Sequence, residues 1–276
     1  MKYLNLGCGS RFHQAWTNID IVTSSLHVQA HDLSQGIPFQ DETFDAVYHS
    51  HLLEHFPKNK ALGFTQECYR VLKPGGIARV AVPDLERIAR TYLQALEKAL
   101  QGKDKWQHNY EWIMLELYDQ AVRERPAGDM LEYLKQDPIP NKAFVYKRLG
   151  GEARHIVHGL RSRFTKEGNV PYMRRLGSRF RYFSYFVIER LISMLLTEND
   201  YRALQIGRFR MRGEVHHWMY DRYSLAQLLK QAGFHDPQSV GPTESQIEDW
   251  TDYHLDTEPD GTVYKPDSLY MEAFKP

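Results

Sequence analysis

The stretch Asn5-Leu6-Gly7-Cys8-Gly9-Ser10 constrains this chain more than any other. Only Met1-Lys2-Tyr3-Leu4 stand before it, so a first strand begins almost at once and runs directly into Gly-x-Gly. Glycines there let the backbone turn sharply and approach a ligand that a Cβ would push away. A tight strand-to-loop turn without a ligand is the competing reading. The third glycine of the dinucleotide fingerprint would fall where the chain has Phe12. That argues against NAD and FAD, whose pyrophosphate rests on the helix N-terminus the third glycine allows. The next residue such a site needs is an acid at the end of a second strand. Trp16-Thr17-Asn18-Ile19-Asp20-Ile21 supplies Asp20, which would serve equally as a turn-capping aspartate.

Between Gly9 and Asp20 there is room for a strand and a loop, not for a full helix. Leu26 to Asp32 reads as a short third strand, and Phe44 to Tyr48 as a fourth that runs into His49-Ser50-His51-Leu52-Leu53-Glu54-His55. Lys58 to Leu72 is a helix, stopped by Lys73-Pro74-Gly75-Gly76. Ile77 to Val82 is the near-continuous apolar run of a buried parallel strand. An amphipathic helix follows, with Leu85, Ile88, Ala89, Tyr92, Leu93 and Leu96 on one face. Strands alternating with helices, with glycines and carboxylates at the strand C-terminal ends, predict an open α/β sheet with its ligand at those ends.

Taken together, Leu4 to Gly9, Asn18-Ile19-Asp20, His31-Asp32-Leu33, Phe44 to Val47, Leu53-Glu54-His55 and Arg70 to Gly76 resemble the class I S-adenosylmethionine-dependent methyltransferases, in particular their type 11 group. Tyr223 to Phe234 looks like the family's last helix, with Ser224 and Gln227 as its capping box. Val240 and Ser268 to Phe274 look like its closing antiparallel pair. The missing first helix departs from the common pattern. The resemblance implies a Rossmann-like, doubly wound, mostly parallel sheet whose last strand is antiparallel. Residues 1–100 and 213–276 would form this core, and 101–212 a mainly helical insert between strand five and the final helix.

The resemblance also implies S-adenosylmethionine as cofactor and S-adenosylhomocysteine as product. Gly7 and Gly9 would meet the methionine end, Asp20 the ribose, and Asp32 and Leu33 the adenine, with Leu6 and Ile21 also binding the cofactor. Ser50, His51 and His55 would lie toward the methyl group. An oxygen acceptor sheds a proton, and histidine titrates in the useful range. His216, at the return from the insert, is the first candidate base, with His217 and His155 beside it; structural or solvent-exposed histidines are the plainer reading of each. No metal is expected, since His49, His51 and His55 straddle a strand end and a loop without a cysteine. The fourth strand ends in His-Ser-His-Leu, not the Asn/Asp-Pro-Pro-Tyr/Phe mark of amino-group methylation, which favours oxygen.

Composition narrows the partners. The chain of 276 residues is 42% hydrophobic with a net charge of zero, which suits a packed domain with an elaboration. Its 2 cysteines suit a reducing, cytoplasmic compartment, and no apolar run is long enough to span a bilayer. Residues 142–212 carry sixteen Lys/Arg against five acids, whereas 244–272 carry nine acids against Lys265. Either the two regions face each other or are solvated, or the basic insert receives an anionic acceptor. We expect a small molecule or glycan there, most plausibly a sugar hydroxyl of a polysaccharide pathway, and not nucleic acid. Residues 174–196 combine arginines with a long apolar face. This reads as a buried or homodimer-forming helix, or as one lying on an anionic membrane. A non-catalytic cofactor-binding domain whose insert docks a partner is the alternative to an enzyme.

Overall fold

The computed structural model describes residues 1–23, 25–165, 188–190 and 192–276. Seven strands form one sheet: β1 (Tyr3–Leu6), β2 (Thr17–Asp20), β3 (Val28–Ala30), β4 (Phe44–Ser50), β5 (Leu72–Pro83), β6 (His235–Val240) and β7 (Ser268–Phe274). Their order is β3-β2-β1-β4-β5-β7-β6, and only the pairings with β7 are antiparallel. This is the doubly wound, mostly parallel sheet that the sequence resemblance implies. The order reverses between β1 and β4, so the crevice outside their C-terminal ends is where a ligand belongs. Gly7 follows β1 there and His51 follows β4.

One face of the sheet is covered in the usual way. Helix α1 (Lys58–Val71) turns Ala61, Phe64, Cys68 and Val71 onto it. The last helix in the chain, Arg222–Gln231, adds Leu225 and Leu229, and both meet Leu4, Leu6 and Val47 in one buried cluster.

The other face shows how the chain manages without a first helix. Residues 7–16 cross from β1 to β2 as a loop, pinned by buried amides: Asn5 donates to the Arg11 carbonyl and to Asn18 Oδ1, at 3.1 Å each. Where a helix would lie, the 241–267 excursion between β6 and β7 supplies Ile247, Trp250 and Leu255. These pack with Tyr3, Trp16, Ala46 and Tyr48. The charge at the centre of that face is satisfied, as burial demands. Arg79 of β5 is wholly buried; it donates to Asp256 at 2.9 Å, to Glu272 at 2.7 Å and to the carbonyls of Gly241 and Glu244.

Among the described residues the insert is mainly helical, as expected: α2 (Leu85–Leu100) leads into α3 (Asp104–Val122), α4 (Gly128–Leu134), α5 (Lys142–Thr165) and α6 (Glu198–Arg210), and the Arg222–Gln231 helix is then α7. It has its own core of Trp112, Tyr133, Leu134, Ile139, Val145, Leu149, Ala153 and Val157. A buried pair, Arg148 with Glu116, ties α5 to α3. Helix α5 breaks at Gly150 (φ 57, ψ −128). A Cβ there would collide with the Pro266 ring and the Val263 carbonyl, so only glycine lets the helix sit on the 256–266 loop.

Two details differ from the sequence reading. The α7 capping box is Asp221 with Ser224, one turn earlier than Ser224 with Gln227. Much of the insert's positive charge is consumed locally: Arg148 by Glu116, Arg161 by Asp137, Arg202 by Glu124 and Arg208 by Glu189. Arg174, Arg175, Arg179, Arg181 and most of the apolar stretch to residue 196 lie outside the described residues. No helix among the described residues is long and apolar enough to cross a membrane.

Candidate functional site

The Gly7–Gly9 turn opens a pocket of about 220 Å³, lined by Gly7, Cys8, Gly9, Ser10, Ser50 and His51 from the strand ends. Both glycines have positive φ, 62° and 54°. A Cβ on Gly7 would press into Leu52, at 2.8 Å, while the space over Gly9 is open, so a ligand can approach its backbone. Asp20 holds this turn from β2: its Oδ2 accepts from the Gly9 N–H at 2.8 Å and its Oδ1 from Val22 at 3.3 Å. Burial, then the nearby Asp20 charge, pushes the Cys8 thiol up to about 12, so Cys8 is no nucleophile here.

The other wall comes from far along the chain. The break at Gly150 brings Glu152 to the pocket, where its carboxylate pairs with Lys265 at 3.0 Å. Arg11 lies 3.9 Å over the Tyr264 ring and pairs with Glu258 at 3.4 Å. The pocket therefore presents both signs of charge at its rim and backbone at its floor. Sequence reasoning missed Glu152 and Lys265. Yet each is a minority sign in its own segment, an acid in the basic insert and the one lysine of the acidic 244–272 stretch.

His51 has φ 50, a left-handed conformation rare for residues other than glycine. Its Nε2 lies 2.7 Å from Ser268 Oγ and its Nδ1 3.3 Å from Glu54 Oε1. Backbone strain of this kind persists where surrounding contacts over-determine it, often at functional sites. Behind His51, Glu54 is fully buried, and neither of its carboxylate oxygens has an aligned hydrogen bond among the described residues. His216 Nε2 stands 3.9 Å from Glu54 Oε1, and the His55 and His216 rings meet edge-on at 4.8 Å. Burial works to raise the Glu54 carboxyl, but the proximity of His51 outweighs it and holds it down at about 2. Burial pushes His216 down to about 3, so it is a neutral imidazole. Sequence spacing could not reveal this cluster, because His216 arrives from the far end of the insert.

The remaining expected residues are placed as follows. Leu6 is buried with its side chain in the core, so only its backbone faces the crevice. Ile21 is 67% exposed beside Asp20. Asp32 caps the Leu33–Gln35 turn through Ser34, and Leu33 packs into the core. His55 Nδ1 contacts the Val215 carbonyl at 3.3 Å. The three candidate bases are not brought together: His216 is buried against Glu54, the His217 ring is exposed, and His155 lines a separate shallow hollow with Arg154 and Glu258. The imidazole that lines the Gly7–Gly9 pocket is His51.

Residues 4–80 match the family model described as a methyltransferase domain, which is less than a third of the chain. No curated protein matches. Solved structures similar to the chain include an S-adenosylmethionine-dependent methyltransferase of Thermotoga maritima, at 12% identity and a TM-score of 0.41, covering 100% of this chain and 82% of that one. Another is a Haloferax volcanii complex between the Trm112 methyltransferase activator and a methyltransferase, at 13% and 0.39, covering 100% and 82%. A third is an S-adenosylmethionine-dependent methyltransferase of Archaeoglobus fulgidus, at 10% and 0.38, covering 99% and 86%. The methyltransferase-domain model is thus seated on β1 to β5, with the glycine turn at the sheet's switch point.

Proposed function

We propose that the methyl group goes to an oxygen of a polar small-molecule or glycan acceptor, most plausibly a sugar hydroxyl. The observation that carries this reading is the mixed-charge pocket over Gly7–Gly9, walled by Ser50 and His51 on one side and by Glu152 and Lys265 on the other. The residues fit the cofactor. The open space over Gly9 admits its methionine end, and the paired charges of Glu152 and Lys265 suit a zwitterion. Asp20 has lone pairs left for ribose hydroxyls after holding the turn. Asp32 and Leu33 flank the adenine position one strand over.

The bound sulfonium supplies an activated methyl. What the chain adds is alignment of an acceptor oxygen in line with it, which accounts for much of the gain in such a displacement. The acceptor oxygen would take the methyl group from the bound cofactor, leaving the neutral thioether, and the acceptor's proton would pass to solvent or to His51, the imidazole at the pocket. Glu152, which comes from the insert and lines the same pocket, supports acceptor recognition beside the cofactor.

The test is methyl transfer from labelled S-adenosylmethionine to nucleotide sugars, lipid-linked glycans and RNA at two salt concentrations. Transfer to a sugar hydroxyl with a shallow salt slope is expected. Transfer to RNA alone, with a steep slope, would overturn the acceptor assignment.

A further inference from the structure

The geometry points to a zinc site built from Glu54, His55 and His216, behind the wall of the cofactor pocket. One ligand atom from each residue lies within 4.8 Å of the others. Zinc binds imidazole nitrogen and carboxylate oxygen at about 2.0–2.2 Å, which sets donors about 3.3 Å apart in a tetrahedron. The widest pair must therefore close by about 1.5 Å, and His216 Nε2 and Glu54 Oε1, at 3.9 Å, by less.

Three further features support a metal here. Both Glu54 oxygens are buried without an aligned donor among the described residues, the costly state that a cation relieves. His55 spends Nδ1 on the Val215 carbonyl, which leaves Nε2 to bind; a carbonyl partner on the second nitrogen is the usual outer support of a metal-bound histidine. The backbone has already clipped the two source segments together. The Glu54 carbonyl accepts from the His217 N–H at 2.7 Å and the Trp218 N–H at 3.3 Å, and the His216 N–H is held by Gln120 at 3.0 Å. Two imidazoles and one carboxylate select a borderline ion over magnesium or calcium, which take oxygen shells. Zinc binds such a set more tightly than iron(II) and needs no redox partner. The ion would fasten the return of the insert, at residue 216, to the end of β4, one contact from His51.

The test uses the full chain stripped with chelator and desalted, and does not depend on methyl transfer. Zinc chloride is titrated in competition with a chromophoric chelator, and cobalt(II) chloride is added separately for its visible spectrum. One equivalent of zinc is expected, with the intense bands of a four- or five-coordinate cobalt ion. Glu54→Gln, His55→Asn and His216→Asn should each weaken zinc by at least about tenfold, with circular dichroism confirming the fold, while the exposed His217→Ala should not. Wild-type protein that takes up no zinc, folded variants that bind as the wild type does, or the pale spectrum of six-coordinate solvated cobalt would each overturn the site. The cobalt spectrum of the wild type decides the matter even if the variants fail to fold.

Discussion

Asp20 carries two tasks on one carboxylate, and the tasks separate by substitution. It fixes the glycine turn through the Gly9 N–H, and in our reading it also receives the ribose. Asp20→Ala should weaken S-adenosylmethionine by about 2 kcal/mol, since hydrogen bonds to a charged acceptor are lost. Calorimetry on the folded variant checks this, and unchanged affinity would remove Asp20 from the site. His51 makes a sharper case. Its positive φ strains a β-carbon-bearing residue, and its ring lines the pocket. His51→Gly should relieve on the order of 1 kcal/mol of strain while removing the imidazole. The ring also contacts Ser268 and the buried Glu54, so its loss works against that gain; slower transfer by the folded variant is expected, and a folded variant that turns over normally would make His51 a structural residue only.

Among the elements, α7 shows most clearly what a sequence can tell. Its amphipathic run was legible, but its start moved one turn earlier because Asp221 accepts from both the Tyr223 and Ser224 N–H groups while Ser224 answers the Asp221 N–H. A serine that could cap its own helix instead completes another residue's cap. Asp221→Ala should cost about 1 kcal/mol, a drop in Tm of about 2–4 °C for a chain of this size. The Ser224 backbone N–H, then the Ser224 hydroxyl and Tyr223, hold the Asp221 carboxyl below its ordinary value against the opposing effect of burial. A lowered folded value means the cap contributes above the unfolded value of about 3.9 and fades as pH falls through the folded one. The Tm gap between wild type and variant should thus be full at pH 7 and close below about pH 4; a gap independent of pH would exclude the ionised cap. Strands β1, β2, β4 and β5 were legible for a simpler reason. β1 runs straight into Gly7, β2 closes on Asp20, β4 carries Phe44, Ala46, Val47 and Tyr48, and β5 ends in the apolar Val80 to Pro83, so each is marked within its own segment. Glu54 was not, because a buried carboxylate looks like any surface acid until residue 216 is folded against it. The cover of the second sheet face was equally hidden, since Trp250 and Tyr48 are about two hundred residues apart in sequence.

At the scale of the whole molecule, two long-range ion systems join parts that the sequence leaves separate. The first holds the sheet to the 241–267 excursion. Arg79 satisfies Asp256 and Glu272 with no exposure of its own, and Tyr48 donates to Asp256 at 2.5 Å. Arg79→Met would strand two buried carboxylates, which costs about 3–5 kcal/mol, and denaturant unfolding should show the midpoint fall accordingly. The second, Glu152 with Lys265, joins the insert to the Gly7–Gly9 pocket, and in our reading it decides whether residues 101–212 serve the acceptor alone. If Glu152 meets the cofactor's amine, Glu152→Gln should weaken S-adenosylmethionine on the order of tenfold, the size of one charge-assisted hydrogen bond. If Glu152 merely neutralises Lys265, the same loss could appear for an indirect reason, because the lysine would be left without its anion. The double variant Glu152→Gln/Lys265→Met separates the two, since residues in contact couple and their coupling can be measured. Recovery of wild-type affinity in the double variant would mean that Glu152 acts only on Lys265. Persistent loss would place an insert residue against the cofactor itself, so that the helical insert completes the very pocket the glycine turn opens.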